Sequence, residues 1–458
     1  MVQPQIAFRT TLLSVVLLAG AVKGLAQTSP VTILYSFQGG TDGAAPKGAV
    51  IIGTNGALYG TTSSGGANSC TNSACGTVFE LTPSTTTPWI ETVIHNFNGS
   101  DGQAPQASLV WSPAGSLFGT TLKGGSGAGG TVFELTPPAT AGNPWTEATL
   151  YNFTSFQVAN SNSPYALFGG LLLGSAGELF ATTFYSNYVN PVGTGGTIFK
   201  LKPPEPPATA WTESTVMDLY TANLGAAPYD GLLFLGGSLY GTASDLTAIG
   251  TLGCGTVFEA TPPSSGSGAW TGSLVYRFAG PRADGCFPKS GLTAGPGGVL
   301  YGTTLDGGSA TPCAFPPYLV SGCGVVFQLT PPAASGQPWS ESIIYTFTGA
   351  NGDGAYPAAS LLLGKNGALY GTTQYGGSST NPLCHSFGAT GCGTVFALNP
   401  PTVPGAAWTE TVLHCFTGEN GDGAIPTASL VIGTSGILYG TTSAGGAAGQ
   451  GAVFALKP

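Results

Sequence analysis

Short apolar runs of four to eight residues, fenced by Gly, Pro, Asn or Ser, return along the chain in a fixed order. Each is rich in Val, Ile, Thr, Tyr and Phe, which are strand formers, and the fences carry turn chemistry. One run is LYGTT-like and recurs seven times, from Leu58, Leu117, Leu179, Leu239, Leu300, Leu369 and Leu438. A GTVFEL-like run keeps step from Gly76, Gly130, Gly196, Gly255, Gly324, Gly393 and Gly451. A third follows a Pro, at Pro46, Pro105, Pro164, Pro228, Pro288, Pro357 and Pro426. The fourth reads W-x-E-x-x-L-Y-x-F from Trp89, Trp145, Trp211, Trp270, Trp339 and Trp408. Its seventh copy is Val31–Phe37, with Ser29 in the place of the Trp. Beyond the N-terminal leader no segment keeps a 3.6-residue period.

Four strands in each of seven units predict an all-β, seven-bladed β-propeller with four antiparallel strands per blade. We name the strands a (after the Pro), b (LYGTT), c (GTVFEL) and d (from the Trp). The chain opens on a lone d strand and closes on a c strand. Pairing residues 31–37 with the C-terminal blade would seal the ring and leave no blade edge open there. The units resemble the GloVer-type tandem repeat of secreted bacterial "choice-of-anchor" proteins. The shared marks are D-G-x-x-P, A-S-L, G-x-L-Y-G-T-T, G-T-V-F-x-L and a d strand ending L-Y-x-F, in order across residues 30–457. The resemblance implies export and a ring of repeats, and no defined activity.

Recurrence within one chain sorts roles. The strand b Tyr becomes Phe118 and Phe180, so the ring is wanted and the hydroxyl is dispensable. Six Trp residues in one register suit docking between neighbouring blades, whereas Trp111, outside that register, is the expected exposed aromatic. The strand c acids Glu80, Glu134 and Glu259 alternate with Lys200, Gln328 and Ala397, as a solvated position would. Asp42, Asp101, Asp284, Asp353 and Asp422 precede each Pro by four residues, and an Asx-turn accounts for them without a metal. Calcium ordinarily takes 6–8 oxygens from several acids, and one Asp per loop falls short. His95 and His414 hold the strand d Tyr place and are expected to pack. No catalytic motif or dinucleotide or phosphate fingerprint is present, and no metal site or cofactor is expected.

Composition then fixes the compartment. Arg9, an apolar run ending near Val22 and Gly24-Leu25-Ala26 read as a signal peptide of residues 1–26, leaving 27–458 as one propeller domain. The run is too short for a membrane span. Charged residues are only 7% of the chain, against 42% apolar, 74 Gly and 35 Pro. A net charge of -9, deepened when Arg9 and Lys23 leave, argues against nucleic acid or an anionic membrane as partner. The expected location is secreted, periplasmic or cell-surface.

Nine cysteines in an exported chain predict disulfides and one odd thiol. Cys70–Cys75, Cys313–Cys323 and Cys384–Cys392 share a b–c loop each. Cys254 has no such neighbour, and its partner is expected to be Cys286 in the d–a loop, leaving Cys415 free. A zinc site from Cys384, His385 and Cys392 has the wrong spacing.

Recognition is expected on the face where the b–c and d–a loops emerge, because the b–c loops are long, variable and stapled. They carry Tyr185, Tyr188, Phe315, Tyr318, Tyr375, His385 and Phe387 as candidate ligand-binding residues. The leading expectation is a non-catalytic extracellular propeller binding a glycan or a surface protein there. The alternatives are a carbohydrate-active hydrolase or lyase, with Asp245, Asp306 and Glu178 near that face as its acids, and a purely structural envelope repeat.

Overall fold

The computed structural model describes residues 31–458 except 71–72, 86–87, 141, 155, 159–160, 164–166, 185–194, 245–252, 265–267, 281, 309–312, 316–319, 335, 385–390 and 404. Seven four-stranded antiparallel sheets form a closed ring. In blade 1 the strands are Ile51–Ile52 (a), Leu58–Thr62 (b), Thr77–Thr82 (c) and Ile90–Asn96 (d), hydrogen-bonded in that order. Blades 2 to 6 repeat the plan over residues 110–154, 172–218, 233–277, 293–346 and 362–415. Blade 7 takes Val431–Ile432, Leu438–Thr442 and Ala452–Leu456 from the C-terminus and Thr32–Ser36 from the N-terminus. The last two pair antiparallel, Thr32 opposite Ala455 and Ser36 opposite Ala452. The predicted ring closure is therefore present.

The LYGTT motif is consumed by this architecture. Its Gly lies directly opposite the strand c Phe, as with Gly60 and Phe79. A Cβ on Gly60 would sit 2.6 Å from the Phe79 ring, and one on Gly119 would sit 2.4 Å from Phe133. Its first Thr reaches the next blade: Thr61 donates to the Ala107 carbonyl (3.2 Å), Thr242 to that of Ser290 (2.8 Å) and Thr441 to that of Gly48 (3.1 Å). Its second Thr ties strand b to strand c, as between Thr62 and Thr77 Oγ1 (2.8 Å).

Aromatic seams lock blade to blade. The Phe ending each strand d meets the strand c Phe of the following blade edge-on, in the pairs Phe37–Phe79, Phe97–Phe133, Phe153–Phe199, Phe278–Phe327, Phe347–Phe396 and Phe416–Phe454. Their centroids lie 5.1–5.2 Å apart. Leu219 and Phe258 fill the seventh seam. Farther out, each strand d Trp packs on the strand b ring of the preceding blade, for example Trp145 on Tyr59 and Trp408 on Tyr301, both at 6.0 Å. Trp111 departs from expectation. It lies in strand a, half-buried and edge-on to Tyr59 at 5.0 Å, with its indole N–H donated to the Ile52 carbonyl (3.2 Å). It is a blade dock, because the position faces the blade 1–blade 2 seam.

All four predicted disulfides are present, and Cys415 is the free thiol. They suit an oxidising compartment. No helix among the described residues is long and apolar enough to cross a membrane. Because Phe347 is fully buried in its seam, Phe347→Ala is expected to cost about 3–5 kcal/mol, the range of large-to-small core changes. Equilibrium denaturation checks this; a loss below about 1 kcal/mol would mean that the seam contributes little.

Candidate ligand site at the channel mouth

Six of the chain crossings from strand d to the next strand a are bent, among the described residues, by a non-Gly residue before the Pro in the left-handed region. These residues are Ala45, Ala104, Ala227, Phe287, Tyr356 and Ile425, at φ of 51° to 58°. Their strain is held by two backbone bonds. The Tyr356 N–H donates to the Cys323 carbonyl of the preceding blade (2.8 Å), and its own carbonyl accepts from Gln374 N–H (3.2 Å). The d–a and b–c loops also pair with each other, as Ala44 with Ser64, Gln103 with Lys123 and Cys286 with Asp306. The two loop sets thus share one face, as expected.

The crossing Asp residues hold these loops, but not as Asx-turns. They reach back to the loop start: Asp42 accepts Gln38 N–H (2.7 Å), Asp353 accepts Thr348 N–H (2.7 Å) and Asp422 accepts Thr417 N–H (2.8 Å). Strand d side chains reach the same carboxylates. Tyr276 OH donates to Asp284 (2.6 Å), and His95 and His414 lie 3.1 and 3.3 Å from Asp101 and Asp422. Both imidazoles also pack edge-on against the neighbouring Phe97 and Phe416. Among the described residues, no group of three or more His, Cys, Asp or Glu side chains could hold a metal.

What remains is the residue after the Pro that follows each bend. Lys47, Gln106, Phe168, Tyr229, Lys289, Ala358 and Thr427, one per blade, line a cavity of about 260 Å³ at the loop-face end of the central channel. Gln374, just past strand b of blade 6, joins them. In blade 3 the place of the Pro belongs to Leu167, which precedes the lining residue Phe168. Pro164 stands three residues too early and lies outside the described residues.

One wall is aromatic. Phe168 and Tyr229 lie 5.2 Å apart with a 33° tilt, backed by Phe184, and the Lys289 ammonium sits 4.5 Å over the Tyr229 ring. Burial lowers the Lys47 pKa; it lowers that of Lys289 too, where the Asp306 charge works the other way. Asp230 is the lining carboxylate, and donors occupy it. It accepts Gly231 N–H (2.7 Å), Gly291 N–H (2.7 Å) and Ser360 Oγ–H (2.8 Å), tying three blades.

The sequence matches the Gloeobacter/Verrucomicrobia repeat over residues 19–210, 168–384 and 318–458. The chain belongs to that repeat family. No curated protein matches it. Among solved structures it is similar to a carbohydrate-active enzyme of Trichoderma reesei, 12% identical with a TM-score of 0.42, covering 91% of this chain and 98% of that one. It is also similar to a periplasmic gluconolactonase of Pseudomonas aeruginosa, 12% identical with a TM-score of 0.45, covering 80% and 86%. A third is the PQQ domain of pyranose dehydrogenase from Coprinopsis cinerea, 10% identical with a TM-score of 0.39, covering 93% and 95%. At this distance none of them informs the chemistry of the repeat protein.

Of the loop residues singled out in the sequence, Tyr185, Tyr188, Tyr318, His385 and Phe387 lie outside the described residues, as do Asp245 and the Phe315 side chain. Tyr375 is half-buried and packs edge-on against the buried Tyr356 at 6.0 Å. Glu178 does not join Asp306. It sits in the turn between strands a and b, at the opposite end of the blade from the b–c loops. Asp306 is 0% exposed, and neither carboxylate oxygen has a hydrogen-bond partner among the described residues. The strand c acids are half-buried rather than freely solvated, and Glu80 accepts the Tyr59 hydroxyl (2.7 Å).

Burial raises the Asp306 pKa to about 7 against the pull of Lys289. Burial, then the charges of Asp42 and Asp284, raises Glu91 and Glu341 to about 7 as well. Their unfolded values lie near about 4, so the folded chain binds more protons between about pH 4 and 7. Their stabilising contribution is complete below the unfolded value and is lost as pH rises through 7. The melting temperature is therefore expected to be higher at pH 5 than at pH 8, with the gap narrowed in Glu341→Gln and Asp306→Asn. A melting temperature that climbs from pH 5 to 8 would contradict the assignment.

Proposed function

We propose that this is an exported, non-catalytic binding propeller that takes a sugar unit of an extracellular glycan into the channel mouth. One observation carries the reading. The strand b and d rings, the Thr pair, the crossing Asp and the bend serve the ring, whereas the residue after the Pro that follows each bend varies from blade to blade and faces a cavity. An aromatic wall beside amide and hydroxyl groups suits a sugar, whose faces are apolar and whose edges are polar. The stapled b–c loops around the mouth would extend the contact to neighbouring units of the glycan or to a protein that bears it.

The leader of residues 1–26 and the four disulfides support export. Non-catalytic binding is favoured because the carboxylate in the cavity wall, Asp230, is filled by three donors. Hydrolysis of a glycosidic bond calls for two carboxyl groups flanking it. A catalytic reading has one observation in its favour: Asp306 is a buried carboxyl group poised near neutrality beside a lysine, the setting of many acid–base residues.

Residues 27–458, offered a panel of immobilised polysaccharides, are expected to retain at least one without releasing oligosaccharides. Ala358→Trp, which fills the cavity from a half-buried position, is expected to weaken retention at least tenfold while the melting temperature holds; Thr427→Trp is the second such variant. Retention unchanged in both would move the site out to the loops. Released products that vanish in Asp306→Asn would establish the enzyme instead.

A further inference from the structure

Resting on that reading, we infer that the channel mouth selects a sugar bearing a carboxylate, with Lys47 and Lys289 as its charge-reading residues. The chain carries 11 Lys and Arg against 20 Asp and Glu, yet two of those scarce cations are placed in the cavity wall. They come from blades 1 and 5, so they approach the cavity from different sides of the ring. Both are desolvated enough to lower their pKa values, which is the environment in which an added anion is held most strongly.

The acids around them do not cancel this. The Asp230 carboxylate is turned to the Gly231 and Gly291 N–H groups and the Ser360 hydroxyl, all within 2.8 Å. Asp306 is fully buried and absent from the cavity wall, so it lowers the field at Lys289 without blocking access to it. Lys47 has no ion-pair partner within 4.0 Å among the described residues. A half-buried, partly desolvated lysine without an acid carries a cost to the fold, and a ligand carboxylate would offset it. The Lys289 ammonium is fixed over the Tyr229 face, which places the charge-reading group beside the wall on which a sugar ring would stack.

The test compares galacturonate oligosaccharides with their carboxyl-reduced, neutral counterparts by titration calorimetry at pH 6, on residues 27–458 and on Lys47→Met, Lys289→Met and Ala358→Trp. The expected result is at least tenfold tighter binding of the acidic oligomer, falling with added salt. Either Met variant should lose most of that preference while keeping its weak affinity for the neutral oligomer, and Ala358→Trp should lose both. Lys47→Met is also expected to melt no lower than the parent, since it removes a partly desolvated, unpaired charge. Equal binding of acidic and neutral oligomers, abolished by Ala358→Trp, would overturn the charge assignment and leave the cavity as a neutral-sugar site. Acidic preference that survives both Met variants would place the selection elsewhere and overturn it as well. Binding of neither oligomer to any form would overturn this inference, and with failure across the wider panel it would remove the glycan reading too.

Discussion

The edge-on contact of one blade's last Phe with the next blade's strand c Phe is the constraint on which the molecule rests. Around the ring the contact recurs at the same centroid spacing, and only the Leu219–Phe258 seam replaces one ring by an aliphatic side chain. A strand c Phe can lie flat enough for this only if the strand b residue opposite it has no side chain in the way, which is why LYG keeps its Gly. In blade 3, where Ala181 stands opposite Phe199, that rule relaxes by one methyl group. The two Thr residues then convert an aromatic stack into a directional joint, one bonding across the seam and one within the blade. Sequence monotony and mechanical closure are the same fact seen at two scales.

A ring built this way leaves few positions open to selection for anything else. The strand d Tyr and His are spoken for by the loop Asp, the strand b ring by the next Trp, and the bend before the Pro by its paired backbone bonds. The residue after that Pro is different, since it projects beyond the seams into the channel. Seven copies of a rigid joint therefore present seven independently chosen side chains to one volume, from the small Ala358 to Lys47 and Tyr229. Such an arrangement gives preorganisation at little entropic cost, since the backbone beneath each side chain is already fixed.

The fold was readable in the sequence because it is repeated: blade number, strand order, ring closure and all four disulfides follow from the spacing of LYGTT, GTVFEL and Cys. The candidate site was less readable for the complementary reason. A position that reads Lys, Gln, Phe, Tyr, Lys, Ala and Thr looks like noise in a linear alignment of repeats and acquires meaning only when the seven are set around one axis. Leu167 shows the difficulty directly, because the register of blade 3 cannot be fixed by its Pro, and Phe168 then escapes notice. Trp111 and Glu178 were misjudged through the same limit. Whether a side chain near a turn meets solvent, a seam or the far face depends on the neighbouring blade, which is distant in sequence.

Hydrogen exchange measured with and without a retained polysaccharide tests most directly the claim that the varied ring is where this repeat protein meets its ligand. The account predicts added protection concentrated in the segments that follow the bends, around residues 47–49, 106–108, 229–231, 289–291 and 358–360, on several blades at once. Protection confined to the b–c loops or to the outer strand d edges, with those segments unchanged, would contradict it.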